Sequence, residues 1–452
     1  MEQKEIKISL ISLGCEKNLV DSEMILGMIK NSHYDFKITN NLEESDCIII
    51  NTCGFIDSAK EEAIKTIFDC IGLKEKNPNI KLVVCGCLAQ RYLKDLIQNI
   101  EEVDLFIPIV RYFEFGKLLL NLLKKEDNDS LRFDYHNRLI STGKRLSYLR
   151  ISDGCDNRCA YCAIPLIRGG FNSVPFDDVV KGFKKLVKDG YKEIALISQD
   201  LTRYGTDINL SLASLLKELD KIEGDHIIRL LYLYPDEITK ELIETIKESN
   251  HIIHYFDIPL QHASNKILKY MRRRGTKEEY ISLIKYIRSQ MSDAIIRTTV
   301  IVGFPHETQK DFDELIEFVK EVEFDHLGAF MYSKEEDTPA FKMNMQVSKK
   351  EKVNRYNILL EEQRHISNKL MKKFIGNTYF GLLEKYDDNE KCYLARIYSQ
   401  APDDIDGYTK IYVSNFTKDE KTSEFKPLKL DEVYEVKIID STDYDLIGEI
   451  RL

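Results

Sequence analysis

SYLRISDGCDNRCAYC, residues 147–162, is the stretch from which the chain is best read. A strand-like apolar run leads directly into Cys155, Cys159 and Cys162, spaced C-x3-C-x2-C. Three thiolates this close can hold three corners of a cube-shaped iron–sulfur cluster and leave the fourth iron without a protein ligand. An open iron can bind a small molecule, so the trio reads as a reaction site rather than an electron store. Zinc is the competing metal, and three ordinary buried thiols are the plainest alternative. Structural zinc takes four ligands, usually in paired C-x2-4-C knuckles. No second pair follows Cys162 in this segment.

Downstream of this strand, apolar runs alternate with helix-like stretches. EIALISQ, IIRLLYLY, YFDIPL, IIRTTVIVGF and HLGAFMY are further candidate strands. Six βα-like units over about 200 residues suggest a barrel or partial barrel, with chemistry at the carboxyl ends of the strands. A long charged helix, KKEKVNRYNILLEEQRHISNKLMKKFIG, is expected to lead away from it. Upstream, IKISLISLG, DCIIINT and IKLVVCG alternate with helical patterns, which predicts a doubly wound α/β domain with a parallel sheet. The expected organisation is an α/β domain over 1–125, a polar linker over 126–145, a partial (β/α)6 barrel with its trailing helix over 146–374, and a small all-β barrel over 375–452.

The bulk numbers fit this plan. At 452 residues, 43% hydrophobic and 31% charged, the chain has the composition of a soluble multidomain protein. No apolar run is long enough to span a bilayer, so no membrane association is expected and the protein should be cytoplasmic. Thiols stay reduced there, and ten cysteines read as metal ligands and buried groups rather than disulfides. The net charge of −10 argues against broad nucleic-acid binding, DNA included. An acidic surface that merely favours solubility is the simpler explanation of that charge.

Cys15, Cys53 and Cys87 each follow an apolar run: ISLISLGC, IIINTC and LVVCGC. In a doubly wound sheet, residues just past the carboxyl ends of strands converge on one crevice. These three thiols can therefore form a second open site, although small buried thiols are also common beside strands. Cys85 shares a strand face with Cys87, but Cys87 sits at the turn and is preferred. Cys47, Cys70 and Cys392 read as incidental buried thiols.

The sequence closely resembles the radical S-adenosylmethionine methylthiotransferases over nearly its whole length. The resemblance rests on LGCEKN (13–18), NTCGF (51–55), CGCLAQR (85–91), DGCDNRCAYCAIPLIRG (153–169), DIPLQH (257–262) and RTTVIVGFPHET (297–308), with the last part similar to a TRAM domain. Within the family, ISQDLTRYGTDI, RLLYLYPDEIT, FMYSKEEDTPA and QAPDDIDGY resemble the branch that modifies small-subunit ribosomal protein S-twelve. The sequence departs from the family at His306, where a glycine is usual, and at Val174, where an arginine is usual.

The resemblance implies two [4Fe–4S] clusters, one on Cys155, Cys159 and Cys162 and one on Cys15, Cys53 and Cys87. It implies S-adenosylmethionine on the open iron of the first, cleaved to a radical that removes hydrogen from the β-carbon of an aspartate. The second would deliver sulfur, and a further S-adenosylmethionine the methyl group, giving 3-methylthioaspartate. A reducing electron donor and a sulfur donor are implied partners. Tyr161, inside the first trio, is the expected aromatic beside the adenine, with a core tyrosine as the alternative. Gly303, Phe304, Pro305 and Glu307 follow an apolar strand and can shape the nucleoside end of the cofactor site, or form an ordinary turn. Gln199 and Asp200, and Gln261 and His262, sit where barrel loops begin and are candidates to line the site, with His262 as readily structural. Arg272, Arg273 and Arg274 read as a solvated charge run. The terminal domain, from Ile375, holds 17 Asp/Glu and 10 Lys/Arg, a balance of −7. That favours a basic ribosomal protein as partner over RNA phosphates. The competing readings are a tRNA adenosine 2-methylthiotransferase and a plain iron–sulfur carrier.

Overall fold

A computed structural model describes residues 5–126, 131–412 and 428–450. The chain forms two compact units. The first holds the residues up to Ser141 together with Ser152–Val174 and Ser333–Phe341; the second holds the rest.

The first unit is built on β1 (Ile6–Ser12), α1 (Glu16–Lys30), β2 (Phe36–Ile38), β3 (Cys47–Thr52), α2 (Asp57–Lys76), β4 (Lys81–Gly86), α3 (Cys87–Arg91), α4 (Leu93–Asn99), β5 (Leu105–Pro108) and α5 (Phe115–Leu122). The strands pair in parallel in the order β2-β1-β3-β4-β5. Central β3 is buried along its whole length, because helices cover both faces of a parallel sheet. Its side chains alternate. Cys47 and Ile49 pack with Ile8, Val83 and Phe115 on one face, while Ile48 and Ile50 pack with Ile67, Leu82 and Val84 on the other. The winding reverses between β1 and β3, which opens a crevice at their carboxyl ends.

Residues 131–141, from the stretch read as a linker, lie packed on this unit. Leu131 and Phe133 join the core beside α5, and the Arg138 guanidinium pairs with buried Glu23 of α1 at 2.6 Å. The Leu139 N–H bonds the Glu23 carbonyl and Ser141 bonds the Glu23 carboxylate, so apolar, ionic and backbone contacts together seat a segment whose composition is that of a loop. Ser152–Asp153 and Asn172–Ser173 form a short antiparallel ribbon that closes the segment carrying the C-x3-C-x2-C trio.

The second unit contains six parallel strands: β6 (Leu146–Arg150), β7 (Glu193–Ile197), β8 (Ile227–Leu230), β9 (Tyr255–Gln261), β10 (Ile295–Val302) and β11 (His326–Met331). They pair as β8-β7-β6 and β9-β10-β11. The two groups join through an Ile228–Ile252 bridge and a 2.8 Å bond from the Leu233 N–H to the Asp257 carbonyl. The expected partial barrel is therefore present. Five further strands, Thr378–Asp387, Cys392–Arg396, Thr409–Tyr412, Val433–Ser441 and Leu446–Ile450, close into the small terminal barrel. Part of the strand-like segment YTKIYVSNF, from residue 413 on, lies outside the described residues.

The helix Lys349–Met371 does not lead away. It packs on β11 through Leu359, Ile366 and Leu370, and Gln363 Nε2 donates to the Phe324 carbonyl at 2.8 Å. No helix among the described residues is long and apolar enough to cross a membrane.

The terminal barrel is locked to the amino-terminal ends of the large barrel's strands by buried charge. Arg396 bonds Glu193, the first residue of β7, at 2.6 Å and Glu384 at 2.7 Å. Arg229 of β8 pairs with the same Glu193. Asp406, in the QAPDDIDGY segment, accepts from Tyr255 and pairs with Arg297 at 3.2 Å. Burial pushes the Glu193 carboxyl up, but Arg229 and Arg396 outweigh it and hold the group at about 2. A depressed carboxyl stabilises the fold above its ordinary pKa and loses that contribution as pH falls toward the folded value. Glu193→Gln should therefore cost about 3–5 kcal/mol at neutral pH, as expected for one partner of a buried ion pair. Thermal melts from pH 7 to pH 2 check this, with the gap between the two proteins narrowing below about pH 4.5.

Candidate functional site

Three turns at the carboxyl ends of β1, β3 and β4 carry Cys15, Cys53 and Cys87. Cys15 caps the start of α1, Cys53 follows β3 directly, and Cys87 opens α3. Gly14 brings the first two turns together. Its φ is +88°, and a Cβ there would stand 2.6 Å from Cys53 Cβ and 2.9 Å from Cys53 Sγ. Only glycine tolerates both that backbone and that approach. Asn18, wholly buried one turn into α1, ties all three turns. Its Nδ2 donates to the carbonyls of Leu13 and Thr52, both at 3.0 Å, and its Oδ1 faces Cys87 Sγ at 3.3 Å.

The thiols feel one another. Burial pushes Cys87 up to about 12, with Cys53 and Cys15 adding to the rise and Arg168 opposing it. Burial also raises Cys53, and Cys15 contributes. Cys53 and Cys87 are thus neutral thiols until a metal displaces their protons. Cys85 and Cys47 lie in the core against β1 and α5, Cys70 in the core beneath α2, and Cys392 inside the terminal barrel. No three His, Cys, Asp or Glu side chains among the described residues are spaced to hold a single metal ion.

The C-x3-C-x2-C segment belongs to this same compact unit. The Cys155 N–H bonds the Gly169 carbonyl at 3.2 Å, and the Cys162 N–H bonds the Cys159 carbonyl at 3.1 Å. Cys159 is buried, whereas Cys155, Tyr161 and Cys162 are half-buried. The short helix Ile164–Arg168 follows the trio. Its Ala163 and Ile167 flank pack against Cys87. Its last residue, Arg168, pairs with Asp21 at 2.7 Å and Asp153 at 3.2 Å and bonds Asn18 Oδ1 at 2.8 Å. Arg91, at the end of α3, bonds the Gly54 carbonyl at 3.0 Å and pairs with buried Glu335 at 2.7 Å. Asn18, Arg91 and Arg168 were not singled out from the sequence, yet each falls in a motif that was: LGCEKN, CGCLAQR and DGCDNRCAYCAIPLIRG.

In the second unit, Ser198 and Gln199 follow β7. Ser198 Oγ and Gln199 Oε1 are buried and meet no protein partner. Asp200 accepts from Thr202 Oγ1 at 2.6 Å. Gly303 follows β10 with φ +71°, and a Cβ there would stand 2.3 Å from Lys352 Cγ. Glu307 is buried with both oxygens occupied. Oε2 accepts the N–H groups of Gly303 at 2.8 Å and Phe304 at 3.2 Å, and Oε1 pairs with Arg355 at 2.7 Å. Burial works to raise this carboxyl, but His262, the Gly303 N–H and Arg355 hold it below the usual range. Glu307 therefore fixes the turn from within, and its charge is spent inside the protein. Gln261 ends β9 with φ +74°. His262 is fully buried, with Nδ1 accepting from the Ser264 N–H at 2.9 Å and Nε2 3.4 Å from Glu307.

The arginine run is not a solvated face throughout. Arg273 turns inward, its guanidinium 3.9 Å from the Tyr234 ring centroid and donating to the Pro259 carbonyl at 2.7 Å. Alternating direction within a short turn hides this from a composition-based reading. Arg272 and Arg274 stay exposed.

Comparison with known proteins places this geometry. Residues 149–319 match the Radical SAM superfamily, residues 7–108 an uncharacterised protein family designated UPF0004, and residues 375–450 the TRAM domain. The ribosomal protein uS12 methylthiotransferase RimO of Alkaliphilus oremlandii (strain OhILAs) is 44% identical, covering 98% of this chain and 99% of its own. The protein of the same name from Clostridioides difficile (strain 630) is also 44% identical, over 98% and 99%. The chain belongs to the uS12 methylthiotransferase family. Among solved structures, the radical S-adenosylmethionine methyltransferase TsrM from Kitasatospora setae, with cobalamin and a [4Fe–4S] cluster bound, matches at TM-score 0.56 and 11% identity over 75% of this chain and 77% of that one. The cobalamin-dependent radical enzyme OxsB matches at TM-score 0.51 and 13% identity over 80% and 56%. These two show a shared fold.

Membership in the uS12 methylthiotransferase family makes this a radical S-adenosylmethionine enzyme that works with iron–sulfur chemistry. The residues fit that chemistry. Thiols at crowded strand ends suit an iron–sulfur group, and two buried oxygens without partners suit a ligand bearing hydroxyl or amine donors.

The departure at His306 has a structural reason. Its φ is +70°, a region that glycine enters freely and other residues enter at a cost. Here the imidazole stacks on the Tyr270 ring at 4.4 Å, which offsets the strain. Nothing in the structure explains Val174. His306→Gly should leave stability within about 1 kcal/mol, trading the stack for relief of strain. His306→Val, which cannot take this backbone readily, should cost about 1–3 kcal/mol. Thermal denaturation of the two variants checks the contrast.

Proposed function

We propose that this enzyme inserts sulfur and a methyl group at the β-carbon of an aspartate of ribosomal protein uS12, giving 3-methylthioaspartate, with two [4Fe–4S] clusters. Cys155, Cys159 and Cys162 would hold one and Cys15, Cys53 and Cys87 the other. The observation that carries this reading is the pair of thiol trios in one compact unit, with Asn18 and Arg168 bonded to each other beside Cys87. Bound at the first trio, S-adenosylmethionine and a reduced cluster supply one-electron chemistry equal to an unactivated C–H bond, and a second S-adenosylmethionine supplies the methyl group. The protein's part is placement. Tyr161 and Gln199 would contact the cofactor, Gln199 through its unpartnered Oε1. Gly303 would shape the turn beside the nucleoside, and Glu307 would hold that turn rigid through the Gly303 and Phe304 N–H groups. Electrons and sulfur would come from separate cytoplasmic donors.

The substrate reading draws on the terminal barrel. Many of its carboxylates serve the fold: Glu384 and Asp406 face the large barrel, Asp443 pairs with Arg364, and Asp445 with Lys410. Among the described residues that remain exposed there, the acidic groups Asp388, Glu390, Asp403, Asp404, Glu432, Glu435 and Asp440 outnumber Lys385, Lys391 and Lys429. Such a charge balance suits a basic ribosomal protein better than RNA phosphates, which weighs against tRNA as the substrate.

Anaerobic reconstitution should load about eight irons per chain, and Cys155→Ala/Cys159→Ala/Cys162→Ala or Cys15→Ala/Cys53→Ala/Cys87→Ala about four each. With S-adenosylmethionine, a sulfide source and a low-potential reductant, mass spectrometry should find one methylthio group on a uS12 aspartate. Modification of tRNA adenosine instead, or a full iron load in either triple variant, would contradict the reading.

A further inference from the structure

Arg168 is unusual for a buried cation. Its side chain is 2% exposed at the end of a five-residue helix. It reaches back across 147 residues of sequence to Asp21 and across 15 to Asp153. These carboxylates fix two edges of the guanidinium, and Asn18 Oδ1 fixes a third contact at 2.8 Å. So clamped, Nη2 lies 4.0 Å from Cys87 Sγ. Asn18 Oδ1 is shared: it faces Cys87 Sγ at 3.3 Å and Arg168 Nη2 at 2.8 Å. A ligated cysteine has no proton to give to Asn18. The guanidinium on the same oxygen then sets its positive charge beside that sulfur.

We propose that Arg168 is a positioning residue for the iron–sulfur site of Cys15, Cys53 and Cys87, where its guanidinium charge, held 4.0 Å from Cys87 Sγ, sets the site's reduction potential. This rests on the two-cluster reading above. N–H donors and positive charge beside a cluster sulfur stabilise the reduced state and raise the potential. Because Arg168 ends the helix that follows Cys162, the same contact ties the segment of the first trio to the second.

The test uses the full chain carrying Cys155→Ala/Cys159→Ala/Cys162→Ala, so that only the amino-terminal site can load. Iron is counted, and the midpoint potential is read by electron paramagnetic resonance during a reductive titration. Arg168→Gln should retain iron and shift the potential to more negative values, and Arg168→Lys, which keeps the charge, should fall between. An unmoved potential at full iron in Arg168→Gln overturns the proposal. If Arg168→Gln loses iron, Arg168→Lys decides: retained iron at a potential below that of the parent supports the role, and equal loss overturns it, because packing rather than charge is then at stake. If the triple-alanine parent holds no iron, the two-cluster reading fails and the proposal falls with it; if the parent holds iron and the potential does not move, only the proposal fails.

Discussion

The carboxyl ends of three parallel strands cannot be crowded into one crevice unless their last polar groups find partners. Asn18 supplies them, donating to the Leu13 and Thr52 carbonyls while facing Cys87. Buried backbone carbonyls left unpaired would hold these turns apart or draw in water. Asn51 in turn donates to the Asn18 carbonyl at 2.8 Å and to Ser22 Oγ at 2.9 Å, so the amide that fixes the turns is itself fixed. The thiols stand where they do because this small polar network is complete.

Two arginines extend the same logic outward. Arg168 joins the segment of Cys155, Cys159 and Cys162 to Asn18 and Asp21, and Arg91 joins the turn after Cys53 to Glu335. Each removes a charge from water and recovers the cost only through paired, well-oriented carboxylates. Such contacts bring geometric specificity rather than stability. The second unit applies the same device within itself, where Glu193, Arg229 and Arg396 bind the terminal barrel to the large one.

Much of this was legible from local pattern. The six barrel strands and the doubly wound sheet follow from apolar runs at regular spacing, and the positions of Cys15, Cys53 and Cys87 follow from the rule that strand ends converge. What local pattern could not carry was pairing at long range. Nothing near Arg168 in sequence points to Asp21, and nothing near Arg91 points to Glu335. The helix Lys349–Met371 reads as a charged helix leading away because polar Arg355 and Gln363 interrupt its buried stripe beside Leu359, Ile366 and Leu370. His306 reads as an anomaly until its backbone angle is known. The acidic balance of the terminal domain overstated its free charge, since Glu384 and Asp406 are consumed by the fold.

The two proposed iron-bearing corners lie within one compact unit. Anomalous scattering at the iron edge, from anaerobically grown crystals of the loaded enzyme, locates iron directly. Two resolved peaks are expected, one bordered by Cys15, Cys53 and Cys87 and the other by Cys155, Cys159 and Cys162. A single peak, or iron bound by Cys85 or Cys47 in place of the strand-end thiols, would refute the two-site reading.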